Sequence, residues 1–414
     1  MAEFTKFIFG FVDLFYVAAL IIISGIAGYF FIVSVYGWKK RPETGGYQGP
    51  ANNYAIIIAA HNEQAVIKNT IASIKKLNYP EDKYKIFVIA DNCTDSTSKI
   101  AKECGARVYE RSNTQEQGKG HALKWMFNIL FHMNEKFDAV CILDADNLVA
   151  EDFLTQIDRK LEQGYQVVQG YRDMKNPWES WITSSYSITY WLANRLCQLP
   201  RQYLGMNCTL TGSGYAVRVD TLKNIGWEIE TLTEDVEFYF QLCLKDIKIG
   251  WAHEAVIYDE QPITLSQSWK QRTRWMQGHF SCTFIYGKQI LGKFLREKSL
   301  QAFDSLIMML YPFFYVIGFM LMTIQGIHTI FGQIEDVSAR TIFALILISV
   351  VTFLIQNIYS IFVLVNEKKA NRNLILGLIL LPIFNFTWVP IMIQGYFSRK
   401  NKKWAHIVHT GSAG

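Results

Sequence analysis

Two spacings of apolar residues divide the chain. In four stretches, Leu14–Trp38, Ser305–Ile334, Thr341–Asn366 and Asn373–Ser398, apolar residues run on with no Asp, Glu, Lys or Arg among them. Each reaches the roughly 20 residues that a helix rising about 1.5 Å per residue needs to cross about 30 Å of hydrocarbon. Between Arg41 and Asp304 no such run occurs, and most of the charge lies there. The pattern predicts an N-terminal membrane helix within 1–44, a large globular domain over 45–290, and a membrane bundle with a basic tail over 291–414.

Inside the globular part the pattern changes to short apolar runs punctuated by polar turns. "YAIIIAA" (54–60) is continuously apolar, as a strand covered on both faces should be. Helical spacing follows at Val66, Ile67, Ile71 and Ile74. "YKIFVIADNCTD" repeats the plan with a strand over 84–90 and a helix from about 95; "ARVYER" and "KFDAVCILDADN" supply a third and a fourth strand. Such alternation predicts a mostly parallel α/β sheet, and ligands on these sheets sit beyond the carboxyl ends of the strands. The polar clusters His61–Glu63, Asp91–Asp95 and Asp144–Asp146 all fall at those ends. "WESWITSSYSITYWLANRL" (178–196) reads as an amphipathic helix at the membrane interface, with a buried helix of the globular domain as the alternative.

Composition narrows this picture. The seven cysteines form no CxxC pair and all lie in the globular part, which argues against a disulfide framework or zinc site and suits a reducing compartment. The net charge of +5 is modest and its basic clusters flank apolar runs, so nucleic acid is not expected as a partner. The first run is long and holds Asp13 just before it, which favours an anchor over a cleaved signal. Lys39, Lys40 and Arg41, then Lys368, Lys369 and Arg372, flank runs on one side, whereas the link "GQIEDVSAR" is acidic. The positive-inside rule then predicts a multi-pass plasma-membrane protein with a cytoplasmic globular domain. Four full crossings would put the basic tail "SRKNKKWAHIVH" outside; Pro382, Asn385 and Pro390 make a broken, re-entrant fourth run the alternative.

Candidate chemistry collects at the strand ends and beyond. Asp144 and Asp146 are hard oxygen ligands suited to Mg²⁺ or Mn²⁺ on a diphosphate, against the reading of a solvated turn. Asp91 is placed to accept hydrogen bonds from a nucleobase, or to cap a helix, a role Asp95 can fill instead. Lys119, between two glycines, suits a phosphate or belongs to a flexible basic turn. No GxxxxGK[ST] or GxGxxG fingerprint occurs. "TLTEDVEFYF" crowds Glu234, Asp235 and Glu237 at a helix start, and "QRTRW" brings together Gln271, Arg272, Arg274 and Trp275 just before the chain turns apolar.

Taken in order, "AAHNE", "IADNCTD", "GKGHAL", "LDADN", "TED" and "QRTRW" resemble the family 2 glycosyltransferases with a GT-A fold, of the membrane-embedded kind that includes cellulose, hyaluronan and chitin synthases. The resemblance covers about residues 54–280. It implies a UDP-sugar donor held by Glu63, Asp91, Lys119, Gln271, Arg272 and Arg274, with Trp275 against the acceptor sugar. It implies a divalent ion on Asp144 and Asp146, and Asp235, supported by Glu234, as the general base. "NCTLTGSGYAVR" (207–218) resembles the acceptor-site segment, with the role of Cys208 left open. The implied activity is inverting, processive synthesis of a β-linked polysaccharide, UDP-glucose being the first choice of donor, and passage of the growing chain across the lipid bilayer. A UDP-N-acetylglucosamine polymerase and a single-addition transferase to a lipid acceptor are the alternatives, and export partners in the cell envelope stay undefined.

Overall fold

The computed structural model describes residues 2–39, 47–331 and 339–401. Lys40 and Arg41, the 44/45 boundary, the acidic link 332–338 and the basic tail from 402 onward lie outside the described residues. The first apolar run forms α1 (Ala2–Val35), closed by a 3-10 turn to Trp38.

Strands and helices then alternate as β1 (Tyr54–Ala60), α2 (Ile67–Ile74), β2 (Tyr84–Asp91), α3 (Thr97–Glu103), β3 (Arg107–Arg111), α4 (Lys119–Phe131) and β4 (Ala139–Asp144). The second half follows with β5 (Leu148–Val149), α5 (Phe153–Glu162), β6 (Val167–Met174), α6 (Trp181–Ala193), α7 (Leu199–Leu204), β7 (Tyr215–Arg218), α8 (Val219–Ile225), α9 (Glu234–Leu244) and β8 (Ile249–Asp259). One sheet contains all of these strands in the order β3-β2-β1-β4-β7-β6-β8-β5. The first half is parallel, and β7 reverses it by pairing antiparallel with both β4 and β6.

Alternation along β1 explains why its whole run is apolar. Ala55 and Ile57 face a core closed by Leu123, Met126 and Phe127 of α4, while Tyr54, Ile56 and Ile58 face one closed by Ile67 and Ile71 of α2 and Phe153 of α5. Burial on both sides fixes the register of β1 against β2 and β4, and therefore the level at which their polar ends emerge.

Beyond the sheet, Thr264 caps α10 (Leu265–Glu297), its hydroxyl accepting from the Gln267 amide. This helix runs unbroken through residue 290, where the sequence pattern put a boundary. Next come α11 (Leu300–Phe331), α12 (Ala339–Asn366), α13 (Ile375–Phe386) and α14 (Trp388–Ser398). Among the described residues, Val17–Trp38, Leu300–Leu321 and Arg372–Ser398 are long and apolar enough to cross a membrane. Buried ion pairs join these helices to the globular part: Arg201 of α7 grips Asp304 of α11 at 2.8 and 2.9 Å, and Tyr29 of α1 donates to the same carboxylate at 2.7 Å. Past α12, Glu367 accepts from Arg195 and Tyr171, and Lys369 pairs with Asp173.

Two segments carry alternative readings, and their packing bears on both. The 178–196 segment does not lie open to lipid along its length: Ile182, Tyr186, Ile188 and Trp191 are buried between β6 and α13, and Trp178 alone of its named aromatics stays half exposed. The fourth apolar run is interrupted at Thr387, where Pro390 has no N–H for the carbonyl of Phe386. Its first half lies against α6 and its second against α10. The approach is close in both places. A Cβ on Gly377 would meet Ser184 Cβ at 2.3 Å, and one on Gly395 would meet Met276 Cβ at 2.5 Å.

Candidate active site

A cavity of about 700 Å³ opens over the carboxyl ends of β1, β2 and β4 and continues between α10, α11 and α14. Its sheet end is lined by Glu63, Asp91, Lys119, Asp144 and Asp146, its middle by Glu234, Asp235, Gln271, Arg274 and Trp275, and its far end by Met276, Met308, Tyr311 and Trp388. Ten of the eleven residues singled out in the sequence therefore share one space. Arg272 is absent from its walls and fully buried elsewhere.

Each acid is set by local structure. Asp91 ends β2 and accepts from Arg111 at 2.7 Å and from the Asn92 amide group at 3.1 Å; Asp91 and Arg111 are nearly out of solvent. Asp95 takes the amide and hydroxyl of Thr97 at the start of α3, which leaves Asp91 without a capping role. Asp144 ends β4; its N–H donates to Asn147 Oδ1 at 3.0 Å and Ser213 Oγ at 2.9 Å, a fork that holds the turn. Asp146 Oδ2 accepts the Glu260 amide at 3.2 Å.

Lys119 starts α4 after Gly118, whose φ of 107° belongs to the left-handed region that glycine adopts without strain. Its ammonium pairs with Asp144, donates to the Gly212 carbonyl at 2.7 Å and lies 3.4 Å from Glu234. Burial works against its charge, but Asp144, Glu234 and Asp235 outweigh it and raise the lysine further into its charged range. Glu234 and Asp235 begin α9, where free backbone N–H groups favour carboxylates. Even so, burial pushes Glu234 up to about 7, with Lys119 opposing, and raises Asp235 against the pull of the Val236 amide. Asp235 reaches over the 209–212 loop, its Oδ2 3.5 Å from where a Cβ on Gly212 would sit. Arg274 faces Glu234, Asp144 and Asp235, and Gln271 accepts from Tyr186 at 3.2 Å.

Cys208 is fully buried with Sγ on the Gln198 carbonyl, and the neighbouring Thr209–Gly212 loop lines the cavity instead. Sequence reasoning missed Arg172 and Asp259, which line the same space. Arg172 binds Asp259 through two nitrogens and the Thr211 carbonyl at 2.8 Å, while Asp259 also accepts from Asn147 at 3.0 Å. This pair joins the Asp144 turn to the 209–212 loop. The strand-end rule applied to "IYDEQ" at the end of β8 would have found Asp259 and Glu260.

Asp144 and Asp146 fit a hard divalent cation: both reach the cavity, and Asp144 already holds a cation in the form of the Lys119 ammonium. Two carboxylates leave positions for the oxygens of a diphosphate.

The family described as Glycosyltransferase like family 2 matches residues 50–278. The chain is 30% identical over 274 residues to a beta-monoglucosyldiacylglycerol synthase from Nostoc, covering 64% of this chain and 56% of that protein. It is 26% identical over 236 residues to a poly-beta-1,6-N-acetyl-D-glucosamine synthase from Staphylococcus epidermidis, covering 54% of each. The chain thus spans about half the length of these curated relatives. Among solved structures, the mannosyltransferase PcManGT from Pyrobaculum calidifontis, in complex with GDP-Man and Mn²⁺, superposes with a TM-score of 0.64 at 14% identity, covering 93% of this chain and 97% of that one. At that identity the likeness is one of fold.

Proposed function

The chain belongs to glycosyltransferase family 2, with a GT-A sheet carrying its site, and we propose that it transfers a hexosyl unit from a UDP-sugar, with inversion, to a hydroxyl presented from the membrane side. The observation that carries this reading is the single cavity, which joins strand-end acids to Met308, Tyr311 and Trp388 on apolar helices. In this reading Asp91, held by Arg111, and Glu63 receive the nucleoside. Lys119, Gln271 and Arg274 face the diphosphate. Asp144 and Asp146 would hold Mg²⁺ or Mn²⁺, which supplies charge neutralisation for the departing UDP.

Asp235 accepts the acceptor's O–H proton as that oxygen bonds to the anomeric carbon from the face opposite UDP. The bond from that carbon to the diphosphate oxygen breaks with its electron pair, and an α-linked donor gives a β-linked product. A raised Asp235 pKa makes it a better proton acceptor, provided it stays ionised at the working pH.

A lipid alcohol is the acceptor we favour, because thioether and aromatic side chains line the far end and one relative is named for glucosylating a diacylglycerol. A growing polysaccharide is the second reading. It is favoured by Trp275, whose face lies on the same helix side as Gln271 and Arg274, and another relative is named for a polymer. The basic flanks Lys39, Lys368, Lys369 and Arg372 favour a cytoplasmic globular domain.

The test uses purified full-length protein in detergent with Mg²⁺ or Mn²⁺, given UDP-glucose or UDP-N-acetylglucosamine, with and without diacylglycerol. A solvent-extractable glycolipid supports the lipid acceptor. Polymer without added lipid, cleaved by a linkage-specific glycosidase, establishes the second reading. UDP release from neither donor under any condition overturns both.

A further inference from the structure

Arg272 sits in the same helical turn as Gln271, Arg274 and Trp275, yet it points elsewhere. Its side chain is fully buried, no carboxylate is among the groups that act on its charge, and Nη2 has no hydrogen-bond partner among the described residues. Instead it reaches the interruption in the fourth apolar run. Nη1 donates to Thr387 Oγ1 at 2.9 Å and to the Phe384 carbonyl at 3.5 Å, while Nε lies 3.4 Å from the Ser268 carbonyl of its own helix. Thr387 donates to that same Phe384 carbonyl at 2.6 Å. The guanidinium carbon lies 4.3 Å from the ring centre of Phe384, 5.0 Å from Trp388 and 5.9 Å from Tyr186.

A buried cation without a carboxylate is costly unless other partners compensate. Here the partners are the polar groups exposed by a helix break and the faces of three aromatic rings. The planar guanidinium lies over the rings while its Nη1 reaches a hydroxyl and a carbonyl. One of those rings belongs to Trp388, which lines the far end of the cavity.

We propose that Arg272 is a positioning residue: it locks the α13–α14 break onto α10 and so sets Trp388 as a wall of the acceptor end, taking no part in holding the diphosphate. The proposal rests on the acceptor end assigned above, and the arrangement makes the two separable. Losing Arg272 frees the break, while the sheet end, built on β1, β2 and β4, keeps its own hydrogen bonds.

The experiment compares Arg272→Met and the milder Thr387→Val with Arg274→Met, all in the full chain in detergent. Three quantities are read: UDP affinity by calorimetry, the KM for donor and acceptor separately, and amide hydrogen exchange along the chain. Arg272→Met should leave UDP affinity and donor KM at wild-type values and lower kcat/KM for the acceptor by about a hundredfold, the scale of an ångström-level misplacement. Exchange should quicken across 384–391 and stay unchanged in β1, β2 and β4. Thr387→Val should show the same pattern more weakly, which keeps the test open if Arg272→Met does not fold. UDP affinity falling as in Arg274→Met would return Arg272 to the diphosphate and overturn the proposal, as would unchanged exchange at the break. If no acceptor is ever glycosylated, the functional reading fails alone, because UDP affinity and exchange still decide the role of Arg272.

Discussion

The two ends of the cavity are made differently. At the sheet end the acids and Lys119 stand at or just past the close of a strand or the start of a helix, and the sheet register brings both near partners (Asn147, Asn92) and distant ones (Ser213, Glu260) onto them. At the far end the walls come from α10, α11 and α14, and Arg272 and Thr387, which hold them together, are 115 residues apart. The sheet end is a product of register, so it is rigid as long as the sheet is folded. The far end is a product of helix packing, so one side chain can loosen it without touching the other.

Changes at the junction of the two ends should have the largest effect. Asp235→Asn should lower the transfer rate by about 10²–10⁴-fold, the range for a lost general base, with UDP affinity unchanged. Retained transfer would remove that role. Chelating divalent ions should lower transfer by at least about a hundredfold, reversibly on adding Mn²⁺ or Mg²⁺; full activity without them would remove the role given to Asp144 and Asp146. Arg274→Met should weaken UDP binding about ten- to a hundredfold, as expected for a lost charge-assisted hydrogen bond. Trp388→Ala tests the opposite end: acceptor KM should rise about tenfold while donor KM stays constant. A rise in both would mean the ends are not independent.

The pH dependence should sharpen the contrast further. Burial raises Asp235, and below its pKa the carboxyl is protonated and cannot take the acceptor's proton. Transfer should therefore fall toward acid at a pH above the ordinary aspartate range, along a limb that Asp235→Asn abolishes.

That contrast also explains what the sequence made legible. A strand buried on both faces announces itself as an apolar run, and its polar end marks the ligand side, so Asp91, Asp144 and Asp146 were readable one segment at a time. Helical neighbours follow a different rule. Gln271, Arg274 and Trp275 stand at i, i+3 and i+4 and share a face, whereas Arg272 is turned about 100° from Gln271. Reading "QRTRW" as a string hid that turn, and the grouping of Arg272 with the diphosphate residues followed from it. Trp388 and Tyr311 carry no local mark at all. Their place depends on which apolar helix packs on which, and composition does not encode that. Arg172 and Asp259 fall between the two cases, since each lies on a strand whose charges needed partners that only the sheet order identifies.

The far wall also has a place in time. Synthesis proceeds from the N-terminus, and domains fold as units while the rest is still being made. Every residue of the sheet end, and the TED and QRTRW groups with it, precedes Met308. A nascent chain that has emerged as far as Glu297 thus holds the donor's residues but not Met308, Tyr311 or Trp388. On the proposed reading, the residues that meet the donor are made first, and those that line the acceptor end come later, with the long apolar helices.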